Sequence, residues 1–173
     1  LKTSPENIVK TAVKKQMPVK KIVYITCLYA FIFLFLLSCD KNRVFEKNVK
    51  IPGSAWEKDN IIHFNVNISD TSSSHNVYIN IRNRSQYAYS NIFMFITTHA
   101  PSGESVRDTF EITLADARGR WLGRGIGNAL SRQVLYLSNV KFPYRGIYVF
   151  DIEQAMWDQN LENIIDVGLR IEK

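Results

Sequence analysis

Cys39 is the residue whose chemistry is easiest to read from its neighbours. It lies in "FLFLLSCDKN", residues 33–42, where an apolar run ends in Ser38, a thiol, and then Asp40 and Lys41. A small residue directly before a cysteine at the end of an apolar run is the pattern of a bacterial lipoprotein signal. In that chemistry the thiol takes a diacylglycerol, the peptide is cut between Ser38 and Cys39, and the freed amine is acylated, typically by a fatty acid such as palmitate. Several acyl chains on one residue hold a protein to a membrane far more firmly than one chain does.

The run itself favours this reading. Ile22 to Leu37 is apolar or aromatic at every position except Thr26, sixteen residues in all. A spanning helix needs roughly 20 such residues, and a secretory core about 7–15. Lys20 and Lys21 precede the run as the basic segment of an export signal. A plain transmembrane anchor with an incidental cysteine is the competing reading. Met17 opens "MPVKKIVYITC", so residues 17–38 are expected to be the signal and 1–16 either a mis-called upstream extension or a dispensable tail, outside any fold argument. Residues 39–42 become the lipidated cysteine and a short linker, and 43–173 the folded domain.

The next candidate is the stretch "ADARGRWLGRGIGNALSR", residues 115–132, which is longer than most turns between strands. Arg118, Arg120, Trp121 and Arg124 are interleaved there with Gly119, Gly123, Gly125 and Gly127. Arginines and free amides could hold an anion or contact a partner. The pattern lacks the Gly-Lys-Ser/Thr of a nucleotide phosphate loop and the strand-turn-helix setting of a dinucleotide turn. The simpler alternative is that the glycines let the loop fold back over a sheet edge while Trp121 plugs the core.

Other reactive residues are sparse. His63, His75 and His99 lie far apart in the chain without a second ligand at metal spacing, and no HExxH or CxxC occurs, so no metal is expected. No serine sits in a G-x-S-x-G turn. Asp151 and Glu153 share one face of a strand and could be posed as an acid/base pair, although neighbouring carboxylates on a strand usually form a solvated face. Trp56, Trp121 and Trp157, with Tyr78, Tyr87 and Tyr89, could stack on sugars or anchor a partner, or simply cover the core. Arg82 and Arg84 could meet an acidic partner or mark a solvated strand end. No cofactor, small-molecule substrate or enzymatic reaction is announced.

Charge narrows the classes further. The chain has 22 Lys and Arg against 16 Asp and Glu, but residues 1–38 hold six of the bases and one of the acids. The domain that follows carries 16 and 15, a net charge of +1, so nucleic-acid binding has no electrostatic support. Cys27 lies within the expected signal, leaving Cys39 as the domain's single cysteine and no internal disulfide. A core must hold the fold, and 135 residues are enough for one.

The elements that would position these residues read as strands. In 62–68, Ile62, Phe64, Val66 and Ile68 alternate with His63, Asn65 and Asn67; in 75–84, Val77, Ile79 and Ile81 alternate with Tyr78, Asn80 and Arg82. Asp70 to Ser74 is a polar turn between them, which suggests a hairpin. "NIFMFITT" is apolar on both faces and is expected to be central, with both faces covered. Further strands are expected at "RVFEKNVKI", "DTFEITLAD", "QVLYLSNVKF", "GIYVFDIEQ" and "DVGLRIE", with the turn "FPYRG" joining two of them. Only "EQAMWDQNL" looks helical. About eight strands with half-apolar faces predict an all-β antiparallel β-sandwich.

Three stretches carry a resemblance: "IRNRSQYAYSNIFMF", "DTFEITLADARGRWLGRGIG" and "GIYVFDIEQAMWDQNLENIIDVGLRIEK". Over nearly all of 43–173 the chain resembles GldH, the gliding-motility lipoprotein family of Bacteroidetes. Trp157 departs from it, since a basic residue is expected after Met156. The resemblance implies an envelope protein anchored by lipid at Cys39, on the outer membrane and its periplasmic face, with motility and type IX secretion proteins as partners. It implies no reaction and carries over no catalytic residue. Asp40 after the cysteine retains lipoproteins at the inner membrane in some bacteria, though sorting rules differ in this group. Relatives in bacteria that do not glide leave a wider envelope role open. A lipid-anchored glycan-binding module built on Trp121 and its arginines is the alternative.

Overall fold

Alternation becomes strand pairing from Arg43 onward. The computed structural model describes residues 41–173, together with Tyr24. The expectations placed on 1–16, on the signal and on Ser38 and Cys39 fall outside the described residues. Ten strands follow in order: β1 (Arg43–Lys50), β2 (Ala55–Glu57), β3 (Ile62–Ile68), β4 (His75–Arg84), β5 (Asn91–His99), β6 (Ser105–Thr113), β7 (Ala129–Val140), β8 (Gly146–Gln154), β9 (Asn160–Glu162) and β10 (Ile164–Glu172). From residue 41 on there is no α-helix, only a 3₁₀ turn at Pro52–Ser54.

Eight of the strands form two four-stranded sheets, ordered β1-β10-β4-β7 and β3-β8-β5-β6, while β2 and β9 make a small pair. Every pairing is antiparallel. One hydrophobic core takes residues from both sheets, including Val77, Ile79, Ile81, Val167 and Leu169 from the first and Phe64, Ile96, Phe150 and Ile152 from the second. Phe45 of β1 meets Phe64 of β3 edge to face at 6.3 Å between ring centroids, and Phe110 of β6 lies 5.1 Å from Tyr136 of β7. Trp56 is fully buried and its indole N–H donates to the Asn60 carbonyl at 2.9 Å, so its one polar group is satisfied.

The alternation is borne out face by face: Ile62, Phe64, Val66 and Ile68 are buried, as are Val77, Ile79 and Ile81. The expected hairpin between those two segments is not formed. β3 pairs with β8, and β4 with β10 and β7, so the connection crosses from one sheet to the other. The Asp70 carboxylate braces this crossing, accepting from the amides of Ser72 and Ser73 and from Lys173 Nζ at 2.6 Å. Local polarity marks a turn but carries no information on whether the chain stays in its sheet.

Two further expectations are corrected. "EQAMWDQNL" is not helical: it is the end of β8, a bend and the start of β9, with Gln154 Oε1 accepting from the Met156 amide and Gln154 Nε2 donating to the Asp158 carbonyl. A buried amide side chain replaces the helix's own hydrogen bonds. β5 is interior to its sheet, as its composition predicts, but among the described residues its outer face has no second layer. Phe93 is 37% exposed, and Phe95 is capped by the Arg107 guanidinium 4.4 Å from the ring centroid.

Candidate functional site

The 115–132 stretch is a folded loop with its own hydrogen bonds. The Asp116 carboxylate accepts from the amides of Arg118 and Arg120, both at 2.9 Å, and from Arg120 Nε at 2.8 Å. Those bonds, the Arg120 amide first, hold the Asp116 carboxyl below its ordinary range. Gly119 closes the turn at φ +74°, a left-handed conformation that glycine adopts without strain. Ala115 then bridges Trp121, and Arg124 bridges Ser131, with reciprocal amide bonds of 2.9 and 2.8 Å. A Cβ on Gly125 would overlap the Ala129 carbonyl, so the chain can double back here only over a glycine.

These contacts distribute the four residues singled out in the sequence. Arg120 is tied to Asp116, Arg118 is exposed, and Trp121 is partly buried against the core. Arg124 is carried away from that turn to the start of β7 by its bridge with Ser131. Arg118 and Arg120 therefore belong to one end of the loop and Arg124 to the other.

Arg124 arrives at a feature that no single segment announces. Along the outer face of the β1-β10-β4-β7 sheet, registered residues form rungs across all four strands. Asn48, Gly168, Asn80 and Gln133 make one rung; Lys50, Asp166, Arg82 and Ser131 make the next. Partners in an antiparallel pair project from the same face, so the Arg124–Ser131 bridge continues the second rung. Gln133 Nε2 donates to Asn80 Oδ1 at 2.9 Å, and Asn80 Nδ2 reaches Asn48 Oδ1 at 3.4 Å. Arg82 Nε stands 2.8 Å from Asp166 Oδ2. Burial raises the Asp166 carboxyl, against the lowering influence of Arg82 and Lys50. These two rungs line a cleft of about 500 Å³. Arg132, registered with the core residue Ile81, also lines this cleft.

The outer face of the other sheet gathers a second polar group. Asp151 of β8 lies between β3 and β5 and contacts both His63 Nδ1 at 2.6 Å and His99 Nε2 at 3.1 Å. His99 Nδ1 continues to Ser105 Oγ at 2.7 Å. Glu153, two residues on, is held by both terminal nitrogens of Arg107, at 2.7 and 3.2 Å. Asp151 and Glu153 thus share a face but have separate imidazole and guanidinium partners. His75 is buried, packed edge-on against Phe142 at 5.3 Å. Among the described residues no group of three or more His, Cys, Asp or Glu is arranged to hold a metal ion. Trp157 is 99% exposed on the bend after β8.

Sequence reading missed both groupings because each is made by residues from three or four strands. The alternation does place Asn80 and Arg82, or His63, on an outer face, but which strands lie beside them is not a local property.

Comparison with known proteins gives concordant results. The family model described as GldH lipoprotein matches residues 43–171. The gliding motility lipoprotein GldH homolog of Christiangramia forsetii is 38% identical over 154 residues, covering 84% of this chain and 94% of that protein. The gliding motility lipoprotein GldH of Flavobacterium johnsoniae is 36% identical over 147 residues, covering 81% and 91%. Among solved structures, a chain of infectious bursal disease virus Gx strain aligns over 76% of this chain and 30% of its own, at 11% identity and a TM-score of 0.32, too loose a likeness to carry an argument.

Proposed function

The chain belongs to the GldH lipoprotein family, and from that membership we propose that it is a lipid-anchored accessory subunit of the gliding machinery, acting through protein contacts. The observation that carries the reading is 36–38% identity over most of both chains to relatives named for gliding motility. In this reading the signal at 17–38 is removed, Cys39 is acylated, and the two sheets form a β-sandwich beside the outer membrane on its periplasmic face. Partners are motility proteins and components of the linked type IX secretion system. Confinement to a membrane raises the concentration of the domain near other envelope proteins, so weak contacts suffice.

The alternative of a glycan module built on Trp121 loses ground because that ring packs partly against the core and its neighbour Arg120 is tied to Asp116. Arg118 and Arg124, exposed and not tied to Asp116 as Arg120 is, remain as contact candidates for a protein partner.

The test is crosslinking in intact cells followed by affinity capture of the lipidated protein and mass spectrometry. Motility or secretion proteins recovered in constant ratio, and lost when Arg118 and Arg124 are replaced together by Glu, are the expected result. Reproducible recovery of no envelope protein would overturn the reading.

A further inference from the structure

The outer face of the β1-β10-β4-β7 sheet is built unlike an ordinary solvated face. Gly168 stands at the centre of one rung because Asn48 occupies the space above it; a Cβ there would overlap Asn48 Oδ1 and lie 3.0 Å from the Lys47 carbonyl. The amides on either side are linked in a relay that uses one donor of Gln133, one acceptor and one donor of Asn80, and one acceptor of Asn48. An amide has two donors and two lone pairs, so Gln133 Oε1 and Asn48 Nδ2 keep their capacity for an incoming group. The relay restrains the orientation of both.

The adjacent rung supplies charge. Lys50, Arg82 and Arg132 line the cleft with the single carboxylate of Asp166, an excess of two positive charges in a domain that carries only +1. Strand spacing makes the two rungs a patch of roughly 14 by 7 Å, and the cleft of about 500 Å³ is of ligand size.

We propose that this cleft binds an acidic saccharide, its hydroxyls read by the Asn48–Asn80–Gln133 relay and its carboxylate or phosphate by Lys50 and Arg82. Mixed donors and acceptors in a row suit hydroxyl groups, which both donate and accept. A peptide is a poorer fit. Peptide recognition draws on free strand edges or apolar pockets, whereas Asn80 and Gly168 lie on the interior strands β4 and β10, whose backbones are already paired on both sides. Keeping Asp166 charged at a site where burial opposes ionisation is the kind of cost met at binding sites.

The test is titration calorimetry on the full lipidated chain in detergent micelles. The probes are a tetragalacturonate, a phosphorylated lipopolysaccharide core oligosaccharide, neutral maltotetraose and tetraglutamate. The expected result is binding of at least one acidic saccharide, weakened by salt, with maltotetraose and tetraglutamate at least about tenfold weaker. Which acidic probe binds separates a carboxylated glycan from a phosphorylated lipid sugar. Asn80→Ala should weaken binding about tenfold, the cost of one well-placed hydrogen-bonding group, and Arg82→Gln should remove the preference for acidic over neutral sugars. Trp157→Ala, outside the cleft, should change nothing. Absence of saccharide binding, equal binding of tetraglutamate, or binding indifferent to Asn80→Ala in a protein whose circular dichroism is unchanged would overturn the proposal. Crosslinking reads the assembly role independently, so either reading can fail without the other.

Discussion

Asn48 and Gly168 face each other across β1 and β10 so closely that the glycine cannot carry a side chain while the asparagine keeps its place. Gly168→Ala is therefore expected to destabilise the protein by about 1–3 kcal/mol through overpacking. Asn48→Ala combined with Gly168→Ala should recover part of the loss, the remainder reflecting the Lys47 carbonyl. Urea denaturation of the two variants beside the parent measures both values, and a Gly168→Ala protein as stable as the parent would contradict the packing.

Asp166 gives a prediction with a definite sign in pH. Its carboxyl is raised above the ordinary value of 3.8 by burial, so the folded state disfavours the charged form. The penalty is fully present above the folded pKa and is relieved as pH falls through it towards 3.8. The Arg82 side chain is 40% exposed, and an asparagine oxygen at 166 can still face its buried Nε. Asp166→Asn should thus gain up to about 1 kcal/mol at neutral pH, and the gap should close on acidification. Melting temperatures of both proteins between pH 7 and 3.5 decide the matter.

Asp116 behaves in the opposite sense. Its carboxyl is lowered, first by the Arg120 amide, so its support of the loop is present above 3.8 and is lost as pH falls through the depressed folded value. Asp116→Ala should speed hydrogen exchange of the Arg118 and Arg120 amides at neutral pH, with the remaining strands unaffected. Unchanged exchange at these two amides would remove the carboxylate from the account of the loop.

The tryptophans should separate sharply in a stability assay. Trp56→Ala removes a fully buried ring and a satisfied indole, at a cost of about 3–5 kcal/mol. Trp157→Ala, at 99% exposure, should stay within about 0.5 kcal/mol of the parent. Chemical denaturation of both variants provides the check.

Cys39→Ala tests the anchor. The variant is expected to keep its signal or to leave the membrane fraction, and to fail to support motility. Normal fractionation together with full complementation would remove lipidation at Cys39 from the reading.

Much was legible before any tertiary contact was known. The bases, apolar run, Ser38 and Cys39 are contiguous, so the expectation of a lipid anchor rests on local chemistry alone. Period-two alternation likewise marked the inward faces of β3 and β4, because a residue's face in a strand depends only on its parity. The core positions followed, and so did the excess of short strands over helices.

Strand partnership was not legible, and it decided nearly everything about the candidate sites. Any half-apolar strand can lie against any other, so the pattern of β3 fits β4 as well as β8, and the choice is made by packing two whole sheets over one core. The consequences are specific. His63, Asp151 and His99 become neighbours only because β8 lies between β3 and β5. Asn48, Asn80 and Gln133 align only because three separate registers agree across four strands. Alone, the sequence determined the strand-rich domain and which side of each strand faces the core, and it raised the expectation of an anchor at Cys39; the tertiary structure decided which polar residues meet on the outside, because register is a property of pairs of strands and not of either one.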